Sequence, residues 1–194
     1  MCGGGLSAIR VFVAVEPPLA VREELWRIMA LWRAQWRLIR WESVAKLHFT
    51  LRFLGEIKEE EMGTVCRAAG TAAARCEPFL LELGGVGCYP SFRNPRVVWV
   101  GTVRGGERLA VLQGLLEDEL SAAGFGRDSR AFSPHLTVGR IRGALSGPRL
   151  AGLAVQPIEF PVERLEVKQS TLAPGGSLYT DRGSYPLGGQ TRKE

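Results

Sequence analysis

Residues 11–15, Val-Phe-Val-Ala-Val, form an unbroken apolar run inside a segment, 9–16, that stops at Pro17-Pro18. So short a run with no polar face predicts a strand buried on both sides. Pro18 suits the first turn of a helix, and Val21, Leu25, Ile28, Trp32 and Trp36 recur at steps of three and four. That spacing predicts one helix with its apolar stripe on the sheet. Strands are predicted at 38–41 and 47–54, the second ending in a turn at Gly55. Residues 59–75, acidic at the start and then alanine-rich, read as a second helix closed by Pro78, because carboxylates at a helix N-terminus complement its dipole. Strands at 79–83 and 97–103 flank a loop holding Gly84, Gly85, Gly87, Pro90 and Pro95, long enough to reach a ligand. Leu109, Leu112, Leu116 and Leu120 mark a third helix, with Gly124 past its end. Strands follow at 135–141, 158–170 and 178–187, with a Gly- and Pro-rich stretch at 143–148. Residues 3–5 predict a flexible start and 188–194 a frayed tail.

Two halves share this outline: strands, a helix, and a strand that begins with histidine. At 194 residues, 45% hydrophobic and 23% charged, the chain fits one globular domain of two facing lobes with a core that needs no disulfides. We take 1–194 as that domain and 1–8 and 188–194 as flexible termini. Cys2, Cys66, Cys76 and Cys88 lack the two-residue spacing of a zinc or redox motif. Residues 1–16 lack a basic start, and Arg10 interrupts their apolar stretch, so no secretory signal is read there. Free thiols and a cytoplasmic protein are expected, and no segment has the apolar length to span a bilayer. A net charge of +5 suits a polyanionic ligand. Gly85-Val86-Gly87 starts a dinucleotide-binding pattern, but Pro90 stands at its third glycine.

His48-Phe49-Thr50-Leu51 and His135-Leu136-Thr137-Val138 repeat one pattern and use both histidines of the chain. Threonine occurs only eight times in 194 residues, so its recurrence two places after each histidine is no effect of composition. On a strand, residues i and i+2 share a face, so each half offers an imidazole beside a hydroxyl. The bland reading is a pair of half-buried histidines, each bonded to its threonine. The chemical reading is a matched acid and base, since imidazoles titrate near neutrality and displacement at phosphorus needs one of each. Threonine hydroxyls and a nearby arginine would hold the phosphate oxygens. Neither motif carries the third ligand that a histidine metal site needs.

These residues resemble the two-histidine phosphoesterases, and within them the RNA 2',3'-cyclic phosphodiesterases, also called 2'-5' RNA ligases. The resemblance runs from Arg10-Val11-Phe12 through Leu51-Arg52-Phe53-Leu54-Gly55-Glu56 and Asn94-Pro95-Arg96 to Phe132-Ser133-Pro134, Ser170-Thr171-Leu172 and Tyr185-Pro186-Leu187. It implies an α+β fold of two similar lobes, each an antiparallel sheet with helices on its outer face, enclosing a central cleft. It also implies His135 as the general base that activates water and His48 as the general acid. Thr50 and Thr137 match the phosphate-holding threonines, Arg140 the phosphate-binding arginine, and Phe53 the aromatic that stacks on the terminal base.

Arg130 either reaches phosphate or caps a loop. Arg52 reads as a surface residue, Trp41 and Trp99 as core, and the loop 88–93 matches no motif. The implied partner is RNA with a terminal 2',3'-cyclic phosphate, tRNA fragments included, opened to a 2'-phosphomonoester without metal or cofactor by a monomer. Reverse 2'-5' ligation uses the same groups with a ribose 5'-hydroxyl in place of water. The rivals are a relative acting on small cyclic nucleotides, ADP-ribose cyclic phosphate or 2'-5' oligoadenylates, and an RNA-end-binding module without turnover.

Overall fold

The computed structural model describes residues 8–143, 150, 152–174 and 176–189. Its elements are β1 (Ala8–Val15), α1 (Leu19–Ile28), α2 (Ala30–Gln35), β2 (Ile39–Trp41), β3 (Phe49–Lys58), α3 (Met62–Ala74), β4 (Phe79–Tyr89) and β5 (Val97–Arg104). They continue with α4 (Gly106–Ala122), β6 (Leu136–Ile141), β7 (Ile158–Val162), β8 (Arg164–Ala173) and β9 (Gly176–Pro186). The strands line up as β7-β4-β5-β6-β3-β1-β8-β9, with β2 beside β6, and every pairing is antiparallel.

The α+β class and the two-lobe outline stand, with one refinement. The two sheets are continuous, but they meet at a single residue pair, Phe49 with Leu136. One lobe is β9-β8-β1-β3, the other β6-β5-β4-β7 with β2. Helix α3 lies against β8 and β9, α4 against β3 and β5, and the two helices touch. Their apolar stripes, including Val65, Ala69, Leu112 and Leu116, join Val11, Phe49, Leu136 and Val138 in one core. Burying that stripe is what holds short helices to a sheet.

Several boundaries differ from expectation. The predicted single helix breaks at Met29 into α1 and α2. There the Arg33 side chain stacks on Trp26 and donates to the Trp26 carbonyl at 2.5 Å. Gly55, at φ 76, ends no strand; β3 continues through a bulge where Leu54 has no partner on β1. The glycines read as loop lie within β4, because Gly87 sits under the Trp99 ring, where an added Cβ would come within 2.0 Å of it. The predicted strand at 158–170 divides at Glu163 into β7 and β8. Helix α4 closes as expected: Gly124 N–H donates to Ser121 and Phe125 N–H to Leu120, the paired bonds of a Schellman cap. Ala8 lies in β1, and Leu187–Gly189 form a 3-10 turn whose Gly188 N–H donates to the Cys76 carbonyl. Residues 3–5, 144–148 and 190–194, together with Cys2, lie outside the described residues.

Candidate active site

Each histidine stands one residue before its strand, His48 before β3 and His135 before β6. Phe49 opposite Leu136 fixes the register between the two motifs. Carried one residue either way, that register sets His48 across from Thr137 and His135 across from Thr50. The motifs are thus crossed, each imidazole facing the other half's hydroxyl.

A β-bulge follows each threonine. On β3, Thr50 pairs with Ala14 and Arg52 with Val13, so Leu51 is the extra residue. On β6, Thr137 pairs with Trp99 and Gly139 with Val98, so Val138 is the extra residue. A bulge reverses the alternation of faces beyond it. Phe53 and Arg140, three places after the threonines, therefore share the threonines' face, and Arg52 turns away.

That shared face lines a cavity of about 520 Å³ holding His48, Thr50, Phe53, His135, Thr137 and Arg140. All but one of the residues expected from the sequence meet there. Arg130 does not. Its backbone N–H and guanidinium bond Asp128, and it lines a second cavity that borders the first. Of its two readings, the loop cap is the one the geometry matches.

The two imidazoles sit differently. His135 Nδ1 lies 2.7 Å from the Ser133 carbonyl. A carbonyl only accepts, so Nδ1 carries the hydrogen and Nε2 is left to exchange a proton. His135 is not bonded to Thr137; its ring meets the edge of Tyr89 at 4.9 Å and approaches Trp99 at 6.3 Å. Trp99 is therefore more than core, since it backs both Tyr89 and a candidate catalytic ring. His48 Nε2 is 3.1 Å from Thr50 Oγ1, as the bland reading anticipates for one histidine. Its ring stacks on Phe12 at 4.9 Å and meets the edge of Tyr179. Burial drives the His48 pKa down to about 4, helped by the Lys168 ammonium and by Arg140 and Arg22, against the Lys46 carbonyl, which raises it. Lys168 is itself buried, paired with Glu16 at 2.6 Å and with Asp181.

Sequence reasoning missed several lining residues. Arg10, Arg40 and Lys46 join Arg140 in the cavity, against the single carboxylate of Glu42, which accepts from Arg140 Nε at 3.1 Å. Arg10 alternates with the buried Val11 and Val13, a parity signal that was available; Tyr179, from the distant β9, had none. The Arg10 guanidinium lies 5.5 Å from the Phe53 ring centre, and Phe53 is 45% exposed, an apolar platform open to a planar group.

Arg52 is no surface residue. Its Nη1 donates to both oxygens of the buried Glu117 at 2.9 and 3.0 Å, and its Nη2 to the Gly126 carbonyl at 2.8 Å. From the unmatched loop, Tyr89 donates to Ser133 Oγ at 3.2 Å, beside the carbonyl that orients His135. Cys66, Cys76 and Cys88 are free thiols. Among the described residues no helix is long and apolar enough to cross a membrane, and no cluster of three or more His, Cys, Asp or Glu could hold a metal ion.

The family model of the LigT-like phosphoesterases matches twice, over residues 15–99 and 100–179. A Methanothermobacter thermautotrophicus protein named RNA 2',3'-cyclic phosphodiesterase is 33% identical over 184 residues, spanning 92% of this chain and 99% of its own. A protein of the same name from Archaeoglobus fulgidus is 33% identical over 178 residues, spanning 89% of this chain and 97% of its own. Among solved structures, TT0787 of Thermus thermophilus superposes with a TM-score of 0.78 at 28% identity, over 94% of this chain and 100% of that one. Escherichia coli LigT complexed with 3'-AMP gives 0.74 at 27% identity, over 93% and 99%. Crossed motifs, twin bulges and a double match to one family model agree: the chain belongs to the LigT-like phosphoesterase family.

Proposed function

We propose that the protein hydrolyses the 2',3'-cyclic phosphate at an RNA 3' end to a 2'-phosphomonoester, with His135 as general base and His48 as general acid. The observation that carries this reading is one cavity bordered by both imidazoles, both threonines and Arg140. Water gives a proton to His135 Nε2 as its oxygen bonds to phosphorus; the P–O3' bond breaks, and O3' takes a proton from His48. Thr50, Thr137 and Arg140 hold the non-bridging oxygens as negative charge builds. No metal or cofactor enters this scheme.

An acid must be protonated, and His48 in this environment favours the neutral form. The substrate resolves that conflict. A phosphate anion beside Lys168 and Arg140 offsets the charges that depress His48, so the proton comes with the ligand. The four cations against one carboxylate support an RNA end over a small cyclic nucleotide, because they exceed what one cyclic phosphate needs. The relatives' names support the same substrate class. We further read a cytoplasmic monomer, for which the free thiols speak, with tRNA fragments among its substrates.

The test is incubation of an oligoribonucleotide ended in 2',3'-cyclic phosphate with the protein in chelator. The expected product is the 2'-phosphate, identified by mass and by digestion. An unchanged cyclic end that stays bound leaves the binding-module rival standing, and turnover restored only by a divalent ion overturns the metal-free scheme. Faster turnover of cyclic mononucleotides than of oligonucleotides favours the small-substrate rival.

A further inference from the structure

Beside the first cavity lies a second of about 530 Å³, and the two share Thr50, Phe53 and His135. His48, Thr137 and Arg140 border only the first. The geometry points to the second cavity as an acceptor site, which seats a nucleoside whose 5'-hydroxyl replaces water beside His135. This inference rests on the proposed function, because it takes His135 as the base.

The argument begins with in-line displacement. The leaving O3' faces the acid and the nucleophile arrives from the side of the base. A group in the second cavity meets His135 and not His48, so it stands on the nucleophile's side. The donor ribose carries O3' and belongs with His48 in the first cavity, where Arg10, Arg40 and Lys46 suit the donor's next phosphate.

The lining selects the occupant. Phe132 and Tyr89 offer apolar ring surface, which stacks on a base of any sequence. Gln113 lines the cavity and has no hydrogen-bond partner among the described residues, so its amide is available to a base edge or a ribose hydroxyl. The charged residues of the lining are Arg130 and Asp128, one of each sign, whereas the first cavity is strongly cationic. A balanced cavity suits a neutral 5'-hydroxyl end and gives no reward to a 5'-phosphate. Buried groups hold the loop in place: Arg52 donates to the Gly126 carbonyl, and Glu117 accepts from the Asp128 N–H at 3.2 Å.

The step balances without any further reagent. The 5'-hydroxyl oxygen bonds to phosphorus and its proton passes to His135. The P–O3' bond breaks, and O3' takes the proton of His48. The products are a 2'-5' phosphodiester and a free 3'-hydroxyl.

The test offers a cyclic-phosphate-ended oligoribonucleotide together with a 5'-hydroxyl oligoribonucleotide, its 5'-phosphorylated twin, or methanol, and measures transfer relative to hydrolysis. We expect transfer to the 5'-hydroxyl strand above the methanol partition and none of that excess with the 5'-phosphate. Phe132→Ala and Gln113→Ala should lower transfer about tenfold, the scale of a lost base-stacking contact, while hydrolysis, which also reports folding, stays near wild type. Hydrolysis without excess transfer overturns the acceptor site, as does equal use of the 5'-phosphate. Loss of both reactions in parallel, or an effect on KM for dinucleotide but not mononucleotide donors, assigns the cavity to the donor strand and overturns it too. Absence of hydrolysis in the wild type instead defeats the proposed function itself.

Discussion

Thr137 and Arg140 lie three residues apart on one strand yet line the same cavity, because the bulge at Val138 turns Arg140 onto the threonine's face. Arg140→Ala should therefore weaken a contact to phosphate worth about 1.5–3 kcal/mol, the range for hydrogen bonds to charged groups, and lower kcat/KM by roughly 10–100-fold. Arg140→Lys should recover part of this, since an ammonium cannot reproduce a forked donor. Steady-state kinetics on a cyclic-phosphate oligonucleotide decides it; unchanged values in both variants would return Arg140 to its ion pair with Glu42 alone.

His48→Ala and His135→Ala should each lower kcat by about 10²–10⁴-fold, the usual worth of a general acid or base. Binding of a 2'-phosphate end should change far less, because Thr50, Thr137 and Arg140 remain. The double variant should be scarcely slower than the worse single one. Single-turnover rates and binding titrations separate the two effects.

His48 links stability to acidity. Its pKa is lowered from 6.5 to about 4 in the fold, so between those values the unfolded chain binds more protons and stability rises with pH. The contribution is full above about pH 6.5 and lost as pH falls toward 4, about 3 kcal/mol in all. Denaturant unfolding of wild type and His48→Asn across pH 4–7 should show the slope flattened in the variant. Ligand binding near pH 6 should take up a proton, read by calorimetry in buffers of different ionisation enthalpy.

Arg52 and Glu117 form a buried pair across β3 and α4. Arg52→Ala should destabilise the protein by about 3–5 kcal/mol, because it strands a buried carboxylate. Arg52→Met with Glu117→Leu should recover much of that loss by removing both charges. Urea midpoints of the two variants provide the comparison.

Much of the fold follows from residue patterns. The apolar run of β1 and the leucine stripe of α4 gave both elements nearly residue for residue, because each pattern reports burial directly. The histidine–threonine repeat marked both halves of the cavity. What escaped has definite causes. Bulges at Leu51 and Val138 leave no trace in composition, so alternation alone placed Phe53 opposite Thr50 and left Arg52 on the outside. The glycines of β4 read as loop because the Trp99 ring that requires Gly87 comes from another strand. Tyr179 arrives from β9, and no local pattern connects it with His48.

The single pair that joins the sheets, Phe49 with Leu136, follows directly on the two histidines. A joint that narrow acts as a pivot at the reacting centre. Rocking one lobe on the other would sweep Arg10 and Phe53 on β1 and β3 relative to Arg140 on β6, and so change the cavity mouth. The imidazoles, next to the axis, would hold their spacing. An enzyme hinged there could admit RNA ends of different bulk without retuning the distance across which its protons move.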